Sequence, residues 1–414
     1  MQQTEARRGS PFEALKIRDY RWYWFSGLGM TGAQNIQRLA MAWLILDLTG
    51  SLGQLGLMVF LMGLPMTLTS LWGGVLADRY DRRLILTLSQ AFTSINLVLL
   101  ALLTMTELVH PAHVYVSSVG LGVMQALTQP ARSALVRSLV APEQMRNAVA
   151  LNTIQMQSAQ VVWPSVAGGM IALFGVGVTL TASAALSVLG IVFLQIMRLA
   201  PHVPSSRTTN QLRELVDGLK YCLSTPRINA LLSMGLLGGC FGFSYTHVAP
   251  GYSREILGFN AGETGLFLMA SGIGSIAGSM VMLVARVRDN LRVYFLGAAS
   301  LGLSIALLAV TPWPLLAMLP NAMFGAFLAI MIVSGQTVIQ TEVPPEFLGR
   351  VTSIWTLCGG IGLAASLPVG AFGDLFGLRY VLAATGLLLV FVALTNGTVR
   401  TAVLRAQGVP ARAT

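Results

Sequence analysis

Arg38 stands inside a long apolar run over residues 22–48, and Gln34 and Asn35 lie four and three residues before it. On a helix those three side chains share one face, so a guanidinium and two amides form one stripe. An arginine near the middle of a membrane span costs roughly 2.5 to 3.5 kcal/mol on insertion scales, so such a residue marks a pathway or a binding site by default. The chemistry on offer is recognition. Four isolated histidines, His110, His113, His202 and His247, supply no nucleophile–base pair and no metal-ligand cluster, so an enzyme, a metal or a cofactor is not expected. Cys222, Cys240 and Cys358 are odd in number and scattered, which makes them packing residues. None of the 16 carboxylates falls in the middle third of an apolar span, which leaves Asp47, His247 and Glu342 as the candidate proton sites.

The elements that must position these residues are membrane helices. The chain is 54% apolar and 10% charged with a mean hydropathy of +0.70, whereas a soluble domain carries about 25% charged residues. Twelve runs can each cross about 30 Å of hydrocarbon: 22–48, 53–76, 84–106, 114–138, 149–172, 177–197, 228–248, 263–285, 291–311, 314–338, 350–372 and 380–398. The expected fold is therefore all-α and integral to the membrane, twelve transmembrane helices in two pseudo-repeated six-helix halves. Residues 1–200 form the first half, 201–227 a cytoplasmic linker with an amphipathic helix, and 228–414 the second half. With the N-terminus inside, all but four of the 26 lysines and arginines fall on cytoplasmic segments or span ends. Arg254 and Arg379 lie outside, and Arg38 and Arg132 lie within spans. The positive-inside rule thus places both termini in the cytoplasm. The segment before residue 20 is polar and charged, with no cleavable signal expected. The net charge of +10 answers to orientation and anionic lipid, and nucleic acid is not an expected partner.

The two halves echo each other. Pro142-Glu143 with Arg146 opens the fifth span, and Pro345-Glu346 with Arg350 opens the eleventh. Each of those spans ends near a Phe-Gly pair, Phe174-Gly175 and Phe376-Gly377. Duplicated transporter halves show such weak repeats, with the substrate site between them near the midplane.

Residues Gly73 to Arg83 pack five charges into a turn between two apolar spans. The run resembles the loop signature of the major facilitator superfamily, here Gly74, Asp78, Arg79, Arg82 and Arg83, with Asp81 where a second glycine is usual. An acid held at a helix end suits the positive N-terminal end of a helix from the other half, and the eleventh span, starting near Gly349 and Arg350, is the candidate. The resemblance implies the same latch, closing the cytoplasmic side in the outward-facing state. Arg132, about two turns from that side, is expected to tie the loops together near Asp78, Asp81 or Glu342.

The resemblance narrows at Arg38–Ser51, at Gln129-Pro-Ala-Arg-Ser-Ala-Leu135 and at Pro345–Val351 to bacterial siderophore and macrolide exporters. It implies that the first, fourth, seventh and tenth spans line the cavity. Gln125, Thr128, Tyr245, His247 and Asn321 then join Gln34, Asn35 and Arg38 along the substrate pathway. Gln160 sits beside Trp163-Pro164 in a segment partly similar to the signature of antiporters of the superfamily, and Trp355 could stack on a flat or cationic group. The expected function is export of a small amphiphilic organic molecule of drug or siderophore type, by alternating access and in exchange for protons. The alternative is a lysophospholipid flippase of the same fold. The expected setting is the bacterial inner membrane, with the lipid bilayer and a small organic substrate as partners and a monomeric chain.

Overall fold

The computed structural model describes residues 13–198, 211–285 and 287–406, with the side chains of 70–79, 137, 142, 146, 211–215 and 397–406 outside the description. Every regular element among the described residues is helical. In chain order the α-helices are α1 (Arg18–Thr49), α2 (Leu52–Arg79), α3 (Arg82–Met105), α4 (Pro111–Leu139), α5 (Met145–Ile196), α6 (Gln211–Ser224), α7 (Pro226–Leu237), α8 (Ser244–Glu255), α9 (Ala261–Val284), α10 (Asn290–Val310), α11 (Pro314–Glu342), α12 (Pro345–Ala364), α13 (Ser366–Phe376) and α14 (Leu378–Ala406). A π-helical turn over Gly238–Phe243 joins α7 to α8.

Local chemistry sets the boundaries. Gly50 ends α1 at φ 60°, a conformation that costs glycine nothing. Asp81 accepts from the Arg83 amide and starts α3, while His110 and His113 form a reciprocal capping box at α4. Two of the four histidines are therefore spent on helix ends. The 52 residues of α5 would run about 78 Å if straight, far more than one bilayer, and the chain folds back at Gly175, where φ is 79° and ψ 172°. Gly377, at φ 88°, makes the corresponding break between α13 and α14.

Nine stretches among the described residues are long and apolar enough to cross a membrane, one of them the broken run Asn147–Ile196. The protein is thus a multi-pass, all-α membrane protein. The long helices α1 and α4, with 32 and 29 residues, are not among the nine. Their middles carry Gln34, Asn35, Gln37 and Arg38 on one and Gln125 and Thr128 on the other, all lining interior cavities. Polar residues at those depths are tolerated because they face an interior rather than lipid.

Helices α1 to α5 pack on one another as a first group and α7 to α14 as a second, and α5 meets α9 while α2 meets α12 and α13 across the division. Those seams are built of small residues. A methyl group on Gly265 would lie 2.6 Å from the Pro164 carbonyl, and one on Gly272 2.7 Å from that of Gln160, so the two backbones touch and no larger side chain fits. At the end where α1 runs into α2, polar bonds add to the packing. Arg254 pairs with Asp47 at 2.5 Å while lying 4.8 Å above the Trp43 ring, and the Asp374 carboxylate accepts from Ser51, Leu52 and Gly53. Gln157 bonds Ser275 and Ser279 further along the α5–α9 seam. Residues 79–83 lie at the opposite end of the bundle.

At that opposite end α6 lies against α12. Tyr221 stacks on Phe347 with ring centroids 4.4 Å apart and planes 8° from parallel, and Gly218 lets the helix approach Arg350. Burial in this contact pushes the Cys222 thiol up from its ordinary value. Residues 201–210 of the expected linker lie outside the described residues.

Candidate functional site

A cavity of about 110 Å³, several times the space one water needs, lies between the two groups. From α1 it receives Gln34, Asn35, Gln37 and Arg38, whose i, i+3, i+4 spacing keeps them on one face. Gln125 enters from α4, Gln160 and Pro164 from α5, Thr246 and His247 from α8, and Ser271 and Gly272 from α9. Met41, Met58 and Met62 supply an adaptable apolar wall. Among the described residues, no Asp or Glu lines it.

The polar groups are short of partners. Asn35 donates to the Thr31 carbonyl at 2.8 Å, but the Arg38 side chain is exposed to the cavity and has no hydrogen bond or ion pair among the described residues. Gln37 Oε1, Thr246 Oγ1 and His247 Nε2, all cavity-lining residues, are buried atoms with no hydrogen-bond partner. A buried polar atom left unpaired costs about 1 to 3 kcal/mol, so three beside one free cation describe a surface built for a ligand or for water. A narrow annex opens off Gln34 and Gln125 between α1, α3 and α4, lined also by Gln37, Gln90, Thr93 and Thr128. Its neutral amides and hydroxyls suit uncharged donors and acceptors.

Six of the ten residues expected along the pathway, Gln34, Asn35, Arg38, Gln125, Gln160 and His247, meet at the cavity, and Thr128 lines the annex. Three lie elsewhere. Tyr245 donates to Asn321 Oδ1 at 3.1 Å, Asn321 donates to the Phe267 carbonyl at 2.6 Å, and both residues are 1% exposed within the second group. Tyr245 is two residues from His247, about 200° around the helix, so the two cannot point the same way. Trp355 packs beside Tyr294 at 6.0 Å and covers Gly235 and Gly335. Gln37, Thr246 and Ser118 were not singled out by sequence, although Gln37 stands three residues after Gln34 and shares its face.

The loop residues serve their own group. Arg82 donates to the Ala134 carbonyl at 3.2 Å, and Arg83 donates to the carbonyls of Gln195 and Met197, which fastens α3 to the ends of α4 and α5. Arg132 lies over the Tyr23 ring at 5.7 Å and against Gly27, where the sequence led us to expect an acid. Glu342 makes a two-pronged bond to Arg227 at 2.7 Å, and Arg350 lies over Phe347 at 5.4 Å. Gly349 is exposed, and a methyl group there would meet nothing among the described residues. The side chains of Asp78 and Arg79, and the surroundings of Gly74, lie outside the described residues.

Helices in two groups around a polar cavity are the architecture of a membrane carrier. Residues 9–412 match the family described as transmembrane secretion effectors, and the chain belongs to that family of the major facilitator superfamily, a transporter rather than an enzyme. It is 27% identical over 360 residues to the enterobactin exporter EntS of Escherichia coli O1:K1, covering 83% of this chain and 84% of that one. Its fold is shared with the peptide transporter POT, with a TM-score of 0.76 at 14% identity, covering 93% and 95% of the two chains. It is shared also with a bacterial homologue of the human lysosomal transporter Spinster in an inward-facing, unoccupied conformation, with a TM-score of 0.70 at 14% identity over 92% and 97%.

Proposed function

We propose that this chain is an alternating-access exporter of a small amphiphilic organic anion of the siderophore type, embedded in the bacterial inner membrane through twelve crossings with both termini in the cytoplasm. The twelve crossings are the nine apolar stretches, with Asn147–Ile196 counted twice across its break, together with α1 and α4. Orientation follows from the arginines, which crowd the end bearing residues 79–83 and leave only Arg254 and Arg379 at the other. The end bearing residues 79–83 then faces the cytoplasm, and on this reading the cavity loads from the side on which an exported compound is made.

The observation that carries the reading is Arg38, a cation facing a cavity that, among the described residues, has no acidic lining and three unpaired polar atoms. An anion brought there gains a charged contact that the protein itself does not supply. The apolar methionine wall answers to the rest of an amphiphile. Proton exchange, if it accompanies export, runs through His247, because Asp47 and Glu342 sit in ion pairs at the two ends while His247 alone of the three reaches the cavity.

The test is binding to the purified protein in lipid nanodiscs, with enterobactin, a lysophospholipid and a neutral drug as probes. Arg38→Gln should weaken the anionic probe by about 2 kcal/mol or more, roughly thirtyfold, while the thermal midpoint without ligand barely moves. Arg38→Lys should recover part of that, since an ammonium lacks the planar fork. Unchanged affinity per folded molecule sinks the site, and preference for the lysophospholipid over enterobactin points to the flippase reading instead.

A further inference from the structure

Asp374 sits in the last turn of α13, where its own helix offers a carboxylate only unpaired carbonyls and the negative end of the dipole. Its partners lie more than 300 residues away. Oδ1 accepts from the Leu52 amide at 2.8 Å, and Oδ2 accepts from the Gly53 amide at 2.9 Å and from the Ser51 hydroxyl at 2.5 Å. Ser51 Oγ in turn accepts from the Gln54 amide at 3.1 Å. The opening amides of α2, which no intrahelical bond can satisfy, are thus capped jointly by their own serine and by an acid from the other helix group. Close packing makes the reach possible, because a methyl group on Gly53 would stand 2.9 Å from Asp374 Oδ2 and 3.4 Å from the Ala371 Cα.

The same helix pair has a second end. α2 and the α12–α13 segment run antiparallel, so where α13 finishes α2 begins, and where α2 finishes α12 begins. Pro344, the residue before α12, offers that helix's N-terminus no side-chain cap of its own. Asp78 is the acid at the finishing end of α2, and each end of the pair therefore combines one acid with one helix N-terminus.

We propose that Asp374 is a positioning residue of the transport cycle: its carboxylate holds α13 on the N-terminus of α2, keeps the cavity shut at that end, and must let go before that end opens. It is the counterpart of the Asp78 latch, acting on the same two elements at the opposite face of the membrane and favouring the opposite state. The inference rests on the alternating-access reading above. Opening the shut end costs the α2 amides and the carboxylate their bonds together, whereas closing the other end offers the α12 N-terminus an acid in return.

The experiment measures conformational populations rather than transport. Spin labels at Thr106→Cys with Trp313→Cys report the shut end, and labels at Ala141→Cys with Arg288→Cys report the other, in a background of Cys222→Ser, Cys240→Ser and Cys358→Ser. Asp374→Ala should lengthen the first distance and shorten the second, moving the ratio of the two states about fivefold to tenfold, the scale of a lost cap. Asp374→Asn should do the same less fully, since an amide presents one oxygen and turns its NH₂ toward a donor. Asp374→Glu should restore part of the original ratio, and Gly53→Ala, which leaves the acid but crowds it off the amides, should resemble Asp374→Ala. Asp78→Asn should move the ratio the other way, and joined to Asp374→Ala should bring it back toward the parent. Both distances unchanged in Asp374→Ala, or a lowered thermal midpoint with the ratio intact, overturns the role of Asp374 while a shift in Asp78→Asn keeps alternating access standing. A single distance in every variant overturns both.

Discussion

Arg38 and Tyr245 show what a polar side chain in a membrane span can be for. Tyr245 is spent on Asn321, which is itself spent on a backbone carbonyl, whereas Arg38 has no partner at all among the described residues. Tyr245→Phe should therefore lower the thermal stability by about 1 kcal/mol, the value of one buried hydrogen bond, and leave ligand affinity unchanged. His247→Ala should do the reverse, because its Nε2 is already unpaired at the cavity and its removal costs the fold little. Comparing thermal midpoints and anionic-probe binding for the two variants checks the assignment, and affinity loss in Tyr245→Phe would contradict it. Sequence could mark both residues as polar and intramembrane, but not which way each points. That depends on helix rotation, which the apolar surroundings leave undetermined when lipid and protein interior are equally greasy.

Elements were more legible than side chains, because length, hydropathy and arginine position act over twenty residues at once. The Phe174-Gly175 and Phe376-Gly377 pairs stood out as a repeat, and in the structure both glycines turn the chain at positive φ. Gly175 combines φ 79° with ψ 172°, a region that essentially only glycine enters. Gly175→Ala should cost about 1 to 3 kcal/mol of stability, read as a lower midpoint of thermal unfolding, although a methyl group there meets no neighbour. Gly169→Ala is the control, since it too meets open space but sits in regular helix, where alanine is favoured by about 0.5 to 1 kcal/mol. Equal midpoints for the two variants would refute backbone strain as the reason for Gly175. Other elements stayed hidden for a physical reason. The cap on α2 is illegible because its acid lies 321 to 323 positions away, and no local spacing connects Asp374 to Ser51.

Across the whole molecule, packing, charge and capping join the two helix groups at the end where α1 runs into α2. Small-residue seams run along α5–α9 and along α2 against α12 and α13, and the Asp47–Arg254 pair and the Asp374 cap close one extremity. None of those contacts is worth much alone, since an exposed ion pair contributes well under 1 kcal/mol and a cap about 1 kcal/mol. Weak contacts are what a carrier needs, because a shut end held by tens of kcal/mol could never open on the timescale of a transport cycle. Fixing that end covalently should then separate binding from transport. Asp47→Cys with Arg254→Cys, joined by a short reducible thiol cross-linker, removes the ion pair but holds α1 against α8. Such a protein should bind the anionic probe with an affinity within about threefold of the uncross-linked form, because the proposed export route loads the cavity from the end bearing residues 79–83. Transport by proteoliposomes should fall to background and return when the cross-link is reduced. Transport that continues while the cross-link is intact would mean that substrate crosses without parting α1 from α8, and alternating access through this end would have to be abandoned.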